Sequence, residues 1–155
     1  GSAALIEDRA FFATYNFQGT GDLLALSLEN GTVLWKADVS PTDSTPAVAD
    51  GRVFLCGGCD GFSDLQTYCF DAQTGDLIWK TPAEERIGDW RCSPAYADGM
   101  LYAGSPDYTE YAGVNALYAD SGRTAWRYDQ GGSSPSIAGG MLFTIGMGRV
   151  YAFSG

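Results

Sequence analysis

The chain of 155 residues contains no histidine and few basic residues. Without histidine, it cannot form a Ser-His-Asp or Cys-His relay or a zinc site with histidine ligands. Nine lysines and arginines stand against nineteen aspartates and glutamates, which gives a net charge of −10. Because so acidic a chain repels nucleic-acid phosphates, we expect no nucleic-acid partner.

Long apolar runs and helical periodicity are also missing. A membrane-spanning helix needs about 20 consecutive apolar residues, and the sequence offers only runs of a few, so we expect no transmembrane segment. No stretch sustains the 3.6-residue apolar period of an amphipathic helix. The chain is nevertheless 45% hydrophobic and 14% aromatic, which predicts one compact module with a buried core.

Four cysteines are present, at positions 56, 59, 69 and 92. An even number of cysteines in an acidic, lysine-poor chain favours an oxidising compartment, so we predict a secreted, periplasmic or cell-surface protein. The cysteines are candidates for disulfides or for buried thiols. Cys56 with Cys59 and Cys69 with Cys92 are possible pairs, although neighbouring strands would also bring Cys56 close to Cys69. A redox pair or an all-cysteine zinc site is less favoured, because the CxxC has no helix or cation beside it and no second CxxC exists.

Two landmarks recur in fixed order. The first is an eleven-residue motif with a small first residue, glycine six positions later and tryptophan four positions after the glycine; it occupies residues 25–35, 69–79 and 116–126. Its glycines are Gly31, Gly75 and Gly122, and its tryptophans are Trp35, Trp79 and Trp126. The second landmark is a proline followed four residues later by Asp-Gly or Gly-Gly, and it lies within residues 44–51, 92–99 and 133–140. Two landmarks repeated three times indicate a repeat architecture.

Each period contains four short strand signals, which we name strands A to D. In the second period they cover residues 46–49, 52–56, 66–70 and 77–80, with Asp50-Gly51 and Thr74-Gly75 as turns. Four antiparallel strands about every 45 residues is the spacing of a propeller blade. We therefore predict an all-β propeller with three full four-stranded antiparallel blades (about residues 3–43, 44–91 and 92–132) and a partial fourth (about residues 133–155). Such an arc is a small ring, a half-propeller completed by a second copy, or a piece of a longer chain.

The eleven-residue motif resembles the tryptophan-docking repeat of quinoprotein-like β-propellers, the pyrroloquinoline-quinone-type repeat family. The second copy fits best, through Asp71, Thr74, Gly75 and Trp79. The resemblance implies that each motif tryptophan packs flat on a neighbouring blade near a turn glycine. These six glycines and tryptophans are therefore our structural docking residues.

The resemblance also raises the question of the cofactor. Quinone-dependent dehydrogenases of this family resemble full eight-blade rings with calcium-binding acids and often adjacent cysteines. This chain has no adjacent cysteines and about half that number of blades. We therefore assign no catalytic, cofactor or metal residue and expect a non-enzymatic module without cofactor. The alternative is a fragment of an alcohol or sugar dehydrogenase that uses pyrroloquinoline quinone with calcium.

The B–C loops, about residues 15–22, 57–65 and 105–113, and the D–A loops lie at one end of every blade and vary in length and composition, which is typical of a binding face. They are rich in aromatic and acidic residues, which suit a protein partner, a sugar or a cation; alternatively, the aromatics simply pack on their own blades. The candidate partner-binding residues are Tyr15, Phe17, Asp60, Phe62, Trp90, Arg91, Tyr108 and Tyr111. We predict a scaffold or cell-surface module that binds a protein partner through this face. A further alternative is a structural half-ring that dimerises or polymerises through its end blades.

Overall fold

The computed structural model describes residues 1–105 and 113–154, and almost all of its regular structure is β. The first two sheets contain β1 (Ala4–Ile6), β2 (Arg9–Asn16), β3 (Thr20–Ser27) and β4 (Val33–Val39), then β5 (Ala47–Ala49), β6 (Arg52–Gly57), β7 (Gln66–Asp71) and β8 (Leu77–Lys80). The last two contain β9 (Ala95–Ala97), β10 (Met100–Ser105), β11 (Gly113–Tyr118) and β12 (Thr124–Tyr128), then β13 (Ser136–Ala138), β14 (Met141–Gly146) and β15 (Arg149–Ser154). A three-residue 3-10 turn, Ala83–Glu85, follows β8.

The four sheets are antiparallel meanders, each with its strands in chain order. We call them blades 1 to 4. The first strands of successive blades lie beside one another, β1 next to β5, β5 next to β9 and β9 next to β13. The fold is therefore a partial β-propeller with three four-stranded blades and a three-stranded fourth, as the sequence predicted, and among the described residues none of the sheets closes on itself.

The turn chemistry explains why blades 2 and 3 begin with a tight hairpin. Asp50 and Gly51 have φ of 51° and 70°, and Asp98 and Gly99 repeat this with 48° and 78°. Two consecutive positive φ values define the turn that matches the twist of a two-residue hairpin, and Asp-Gly adopts them at low cost.

The core lies between the blades. Val53 and Leu55 of β6 are buried towards blade 1, while Phe54 and Cys56 of the same strand are buried towards blade 3. Because successive side chains of a strand point to opposite faces, a strand buried on both faces must be enclosed between two other sheets. Stacking of neighbouring blades therefore provides the hydrophobic stabilisation.

The first B–C connection differs from the expected loop over residues 15–22. β2 and β3 continue through most of it as a regular hairpin, in which Asn16 pairs with Thr20. Polar side chains hold this end of the hairpin: Asn16 Nδ2 donates to Asp22 Oδ2 at 3.1 Å, and Asp22 N donates to Thr14 Oγ1 at 3.0 Å. The connection itself is only residues 17–19.

Within residues 1–105 and 113–154, no helix is long and apolar enough to cross a membrane.

Candidate functional site

Three loops form one end of blades 1 and 2, and backbone hydrogen bonds join them. Gly58 N donates to Pro41 O at 3.0 Å, Trp90 N donates to Gly58 O at 2.8 Å, and Asp43 N donates to Trp90 O at 2.8 Å. Beneath them, the buried Thr42 hydroxyl donates to Cys56 O at 2.6 Å. These hydrogen bonds hold the three loops together as one surface. We call it the loop face; it consists of residues 40–46, 58–65 and 81–94.

Aromatic side chains cover this loop face. The ring of Tyr15 lies 5.4 Å from that of Phe17 and 5.3 Å from that of Trp90, centroid to centroid. The Arg91 guanidinium lies over the Trp90 ring, with its carbon 4.8 Å from the centroid. Phe17 and Phe62 are 96% and 82% exposed. We call Tyr15, Phe17, Phe62 and Trp90 the aromatic patch.

Two neighbouring cavities share Tyr15 and Phe17. One, of about 370 Å³, lies between Tyr15, Phe17, Gln18, Gly19, Pro41 and Phe62. The other, of about 430 Å³, is lined by Ala13, Thr14, Tyr15, Phe17, Asp43 and Trp90. Both are lined by aromatic rings together with polar groups, a combination that also occurs in ligand-binding sites.

Acidic groups are distributed unevenly around the patch. The Asp43 side chain is 52% exposed, and the N-terminal ammonium lies 4.0 Å from its Oδ1. Asp89 is fully buried, and its Oδ1 accepts a hydrogen bond from Arg91 N at 2.9 Å. The Lys36 ammonium, 3.0 Å from Asp22, and hydrogen bonds from Asn16 and Thr14 lower the pKa of the Asp22 carboxyl.

The structure brings together Tyr15, Phe17, Phe62, Trp90 and Arg91 from the predicted partner-binding set. Asp60 forms an ion pair with Arg86. Tyr108 and Tyr111 lie outside the described residues. Sequence reasoning missed the roles of Pro41 and Asp43 as cavity walls; the only signal was their position in a D–A loop.

Motif tryptophans and glycines meet across blade boundaries. A Cβ on Gly75 would lie 2.6 Å from Cδ2 of Trp35, whose Nε1 donates to Ala72 O at 3.2 Å. Likewise, Trp79 lies over Gly122 and its Nε1 donates to Ala119 O at 3.0 Å. Each indole thus contacts the turn of the following blade.

The outer members of the docking set have different surroundings. Trp126 packs against Phe153 and Tyr102, with ring centroids 5.6 and 6.0 Å away. A Cβ at Gly31 would have no atom within 4 Å.

All four cysteines fall in the described part of the chain, and all are thiols, so the structure contains none of the candidate disulfides; Cys56, Cys69 and Cys92 are buried thiols, the other alternative that the sequence left open. Cys56 and Cys69 face the same core between blades 2 and 3, but in the strand register Cys56 lies opposite Thr67 and Cys69 opposite Phe54. Cys56 Sγ contacts Thr67 Oγ1 at 3.6 Å, Cys69 packs in the core between blades 2 and 3, and Cys92 Sγ donates to Gly132 O at 2.9 Å. Burial raises the pKa of both Cys56 and Cys69 to about 12, which disfavours the reactive thiolate.

Across residues 1–105 and 113–154, no three acidic or cysteine side chains lie close enough together to hold a metal ion.

Comparison with known proteins gives one family and several relatives. A family model described as outer membrane protein assembly factor BamB matches residues 19–155. Over 150 residues the chain is 27% identical to a polyvinylalcohol dehydrogenase of a Pseudomonas species, covering 82% of this chain and 22% of that protein. Over 117 residues it is 28% identical to the BamB of Burkholderia pseudomallei strain K96243, covering 71% of this chain and 28% of that protein.

Among solved structures, the BamB of Moraxella catarrhalis superimposes with a TM-score of 0.70 at 17% identity, covering 98% of this chain and 47% of that one. At this identity the likeness shows the fold alone. The chain spans only about a quarter of the length of the two curated relatives.

Proposed function

The chain belongs to the family of the outer membrane protein assembly factor BamB, and on this premise we propose that it is a non-enzymatic β-propeller module that binds a protein partner through its loop face. The observation that carries this proposal is the exposure of Phe17 and Phe62 on either side of one cavity. Exposed aromatic pairs on a supported surface are typical of protein-interaction sites, where aromatic side chains supply much of the binding energy.

The supported loops strengthen the proposal. Binding costs less when the contact residues are already ordered. The backbone hydrogen bonds from Gly58, Trp90 and Asp43 fix the loops that carry Phe62 and Trp90, while Tyr15 lies on β2 and Phe17 directly follows that strand. Burial of one phenylalanine side chain contributes about 1.5–3 kcal/mol. Loss of both Phe17 and Phe62 should therefore weaken binding by well over tenfold.

Location outside the cytoplasm is part of the proposal. It is supported by the names of the BamB relatives, which call them outer membrane assembly factors. The cysteines no longer support it, because the structure holds them as thiols.

Photocrosslinking tests the proposal. A photoreactive phenylalanine analogue is placed at position 17 of the full chain, and this chain should capture a protein in the cells that naturally produce it. The captured protein is then purified, and its affinity for the wild-type chain is measured by calorimetric titration. We expect the Phe17→Ser/Phe62→Ser double variant to lose most of its affinity. Leu28→Ser is the control for loss of an exposed apolar side chain, because Leu28 is 50% exposed and lies in the β3–β4 turn at the other end of blade 1. Equal affinities of the double variant and the wild type would overturn the proposal.

A second candidate is a fragment of a quinone-dependent dehydrogenase, which the similarity to the polyvinylalcohol dehydrogenase favours. Addition of pyrroloquinoline quinone with calcium, followed by absorbance of the protein fraction after gel filtration, separates the two. A quinone spectrum that travels with the protein would favour the enzyme fragment, and its absence from that fraction would count against it.

A third candidate is association through blade 4, where Ile145 and Val150 are exposed apolar side chains on the β14–β15 hairpin. Light scattering at several protein concentrations measures the mass directly. A dimer or a growing mass that Val150→Lys abolishes would support it, whereas a monomer at every concentration would refute it.

A further inference from the structure

We infer that the cavity between Tyr15, Phe17, Trp90 and Asp43 receives a lysine or arginine side chain of the protein partner. This inference rests on the proposed function, because it names the chemistry that the loop face recognises. We call this space, of about 430 Å³, the cation cavity.

The arrangement of the rings is the first argument. An aromatic ring carries negative charge on its face and attracts a cation placed within about 6 Å of its centroid. The planes of Tyr15 and Phe17 are inclined by 68°, and those of Tyr15 and Trp90 by 57°. The three rings are therefore not stacked on one another, and all three line the same cavity, so a cation that enters it lies beside aromatic rings.

The carboxylate of Asp43 is the second argument. Asp43 lines the same cavity as the three rings and is half exposed. A carboxylate and an aromatic wall together favour a group that is positively charged and carries an apolar stem, which describes lysine and arginine side chains. An anionic ligand is disfavoured by Asp43 and by the net charge of −10.

The chain itself places a cation on the aromatic wall. The Arg91 guanidinium lies 4.8 Å from the centroid of Trp90. A guanidinium is one of the two groups that the partner would supply.

The spacing between the two parts is fixed by the backbone. Asp43 N donates to Trp90 O at 2.8 Å, so the residue with the carboxylate and the residue with the indole are held together. Trp90 N in turn donates to Gly58 O at 2.8 Å. A site ordered in advance loses less entropy on binding, and the net charge of −10 would steer a basic partner towards the protein.

Titration of the full chain with a short peptide, acetyl-Gly-Lys-Gly-amide, tests the inference by nuclear magnetic resonance. The indole N–H signal of Trp90 is the readout and is assigned by its loss in Trp90→Phe. The control peptide has the lysine side chain acetylated, which removes the charge and keeps the stem. We expect a saturable shift with the lysine peptide and at least tenfold weaker binding of the acetylated one.

Asp43→Asn removes the carboxylate charge with little change of shape and should weaken binding of the lysine peptide at least fivefold. Asp120→Asn is the matched control, because it makes the same charge change at an exposed turn of blade 3. Thermal unfolding of each variant confirms that it is folded. No shift with the lysine peptide, equal affinity for both peptides, or an unaltered affinity of Asp43→Asn would each overturn the inference.

The partner captured at position 17 separates failure of this inference from failure of the proposed function. If Phe17→Ser/Phe62→Ser weakens binding of that partner and Asp43→Asn does not, the loop face binds a protein but without a cation in this cavity. If neither change weakens binding, the proposed function itself fails.

Discussion

The indole of Trp35 occupies the space into which a side chain at position 75 would extend from Gly75. An added Cβ would lie 2.6 Å from the ring, and Gly75 also has a φ of +79°. Trp79 and Gly122 repeat the relationship one blade later, with 2.5 Å and +70°. Glycine is therefore required at both positions for two separate reasons, the backbone conformation and the approach of the indole.

Gly75→Ala should destabilise the protein more than Gly31→Ala. Gly31 has nearly the same φ, +72°, but nothing lies within 4 Å of its added Cβ, so it isolates the conformational cost. That cost is about 1–2 kcal/mol, and displacement of the Trp35 ring should add about 1–3 kcal/mol at position 75. Urea unfolding measures the free energy of unfolding of the two variants. An equal decrease in both would show that the Trp35 ring moves aside without cost.

Trp79→Phe should lower the free energy of unfolding by about 1–3 kcal/mol, because it removes the hydrogen bond to Ala119 O and part of the buried ring. Trp126→Phe is the matched control. Trp126 is 37% exposed and packs on Phe153, so we expect a change of less than about 1 kcal/mol. Thermal or urea unfolding gives both values, and a larger loss at Trp126 would contradict the assignment of Trp79 to the blade contact.

The strands of blade 2 were predictable because their signals are local. The expected strands over 46–49, 52–56, 66–70 and 77–80 agree within one residue at each end with Ala47–Ala49, Arg52–Gly57, Gln66–Asp71 and Leu77–Lys80. The turn residues and the alternation of side chains determine them, and neither depends on distant parts of the chain. The hairpin of β2 and β3 was missed because Gly19 and Gly21 resemble loop residues, while the side-chain hydrogen bonds of Asn16 and Thr14 are invisible in the sequence.

The cation cavity was only partly predictable for the opposite reason. Tyr15 and Trp90 were singled out as aromatic loop residues, but their contact joins positions 75 residues apart. Asp43 became part of the site through a backbone hydrogen bond to Trp90. No periodicity encodes such a bond, so composition indicated the type of surface and only the fold gave its geometry.

Acid should weaken the blade 2 turn through Asp71. Its Oδ1 accepts hydrogen bonds from the backbone N–H groups of Gln73 and Thr74, each at 2.8 Å, and these bonds lower the pKa of Asp71 from the ordinary 3.8. Because the folded pKa lies below the unfolded one, this stabilisation is present above the unfolded pKa and is lost as the pH falls through the folded pKa. Asp71→Asn keeps the acceptor oxygen without the titration.

We therefore expect the free energy of unfolding to fall less steeply in Asp71→Asn than in the wild type between about pH 4 and pH 2. Urea unfolding across that range measures the two slopes. In blade 1 the position of Asp71 is held by Ser27, whose hydroxyl accepts a hydrogen bond from Glu29 N. A serine hydroxyl does not titrate between about pH 4 and pH 2, so this turn should not contribute to the slope. Identical slopes would show that the turn carboxylate contributes nothing to acid sensitivity.

Of the four cysteines, Cys59 should be the one that reacts rapidly with a thiol reagent in the native protein. Cys56, Cys69 and Cys92 are buried, and burial raises the pKa of Cys56 and Cys69 to about 12, whereas Cys59 is partly exposed. Reaction with a chromogenic disulfide should give one thiol per native chain and four in denaturant. Cys59→Ser should abolish the rapid phase and Cys56→Ser should leave it. Rapid loss of two thiols would indicate that the CxxC segment opens.

Asn115→Leu should stabilise the protein. Asn115 is 1% exposed, and its Oδ1 has no hydrogen-bond partner among the described residues. Asn115 of β11 lies opposite Arg127 of β12, just as Tyr68 of β7 lies opposite Lys80 of β8. The longer Tyr68 side chain donates a hydrogen bond to the Ser40 hydroxyl at 2.9 Å. The shorter Asn115 side chain borders a cavity of about 400 Å³ instead. Removal of an unsatisfied buried oxygen should raise the free energy of unfolding by about 1–3 kcal/mol. Both Asn115→Leu and Asn115→Ala also remove the hydrogen bond that Asn115 Nδ2 donates to Ala103 O at 3.4 Å. Asn115→Ala leaves the side-chain volume unfilled, so it should be less stable than Asn115→Leu. A loss of stability in Asn115→Leu would contradict the prediction that the unsatisfied oxygen is the larger effect.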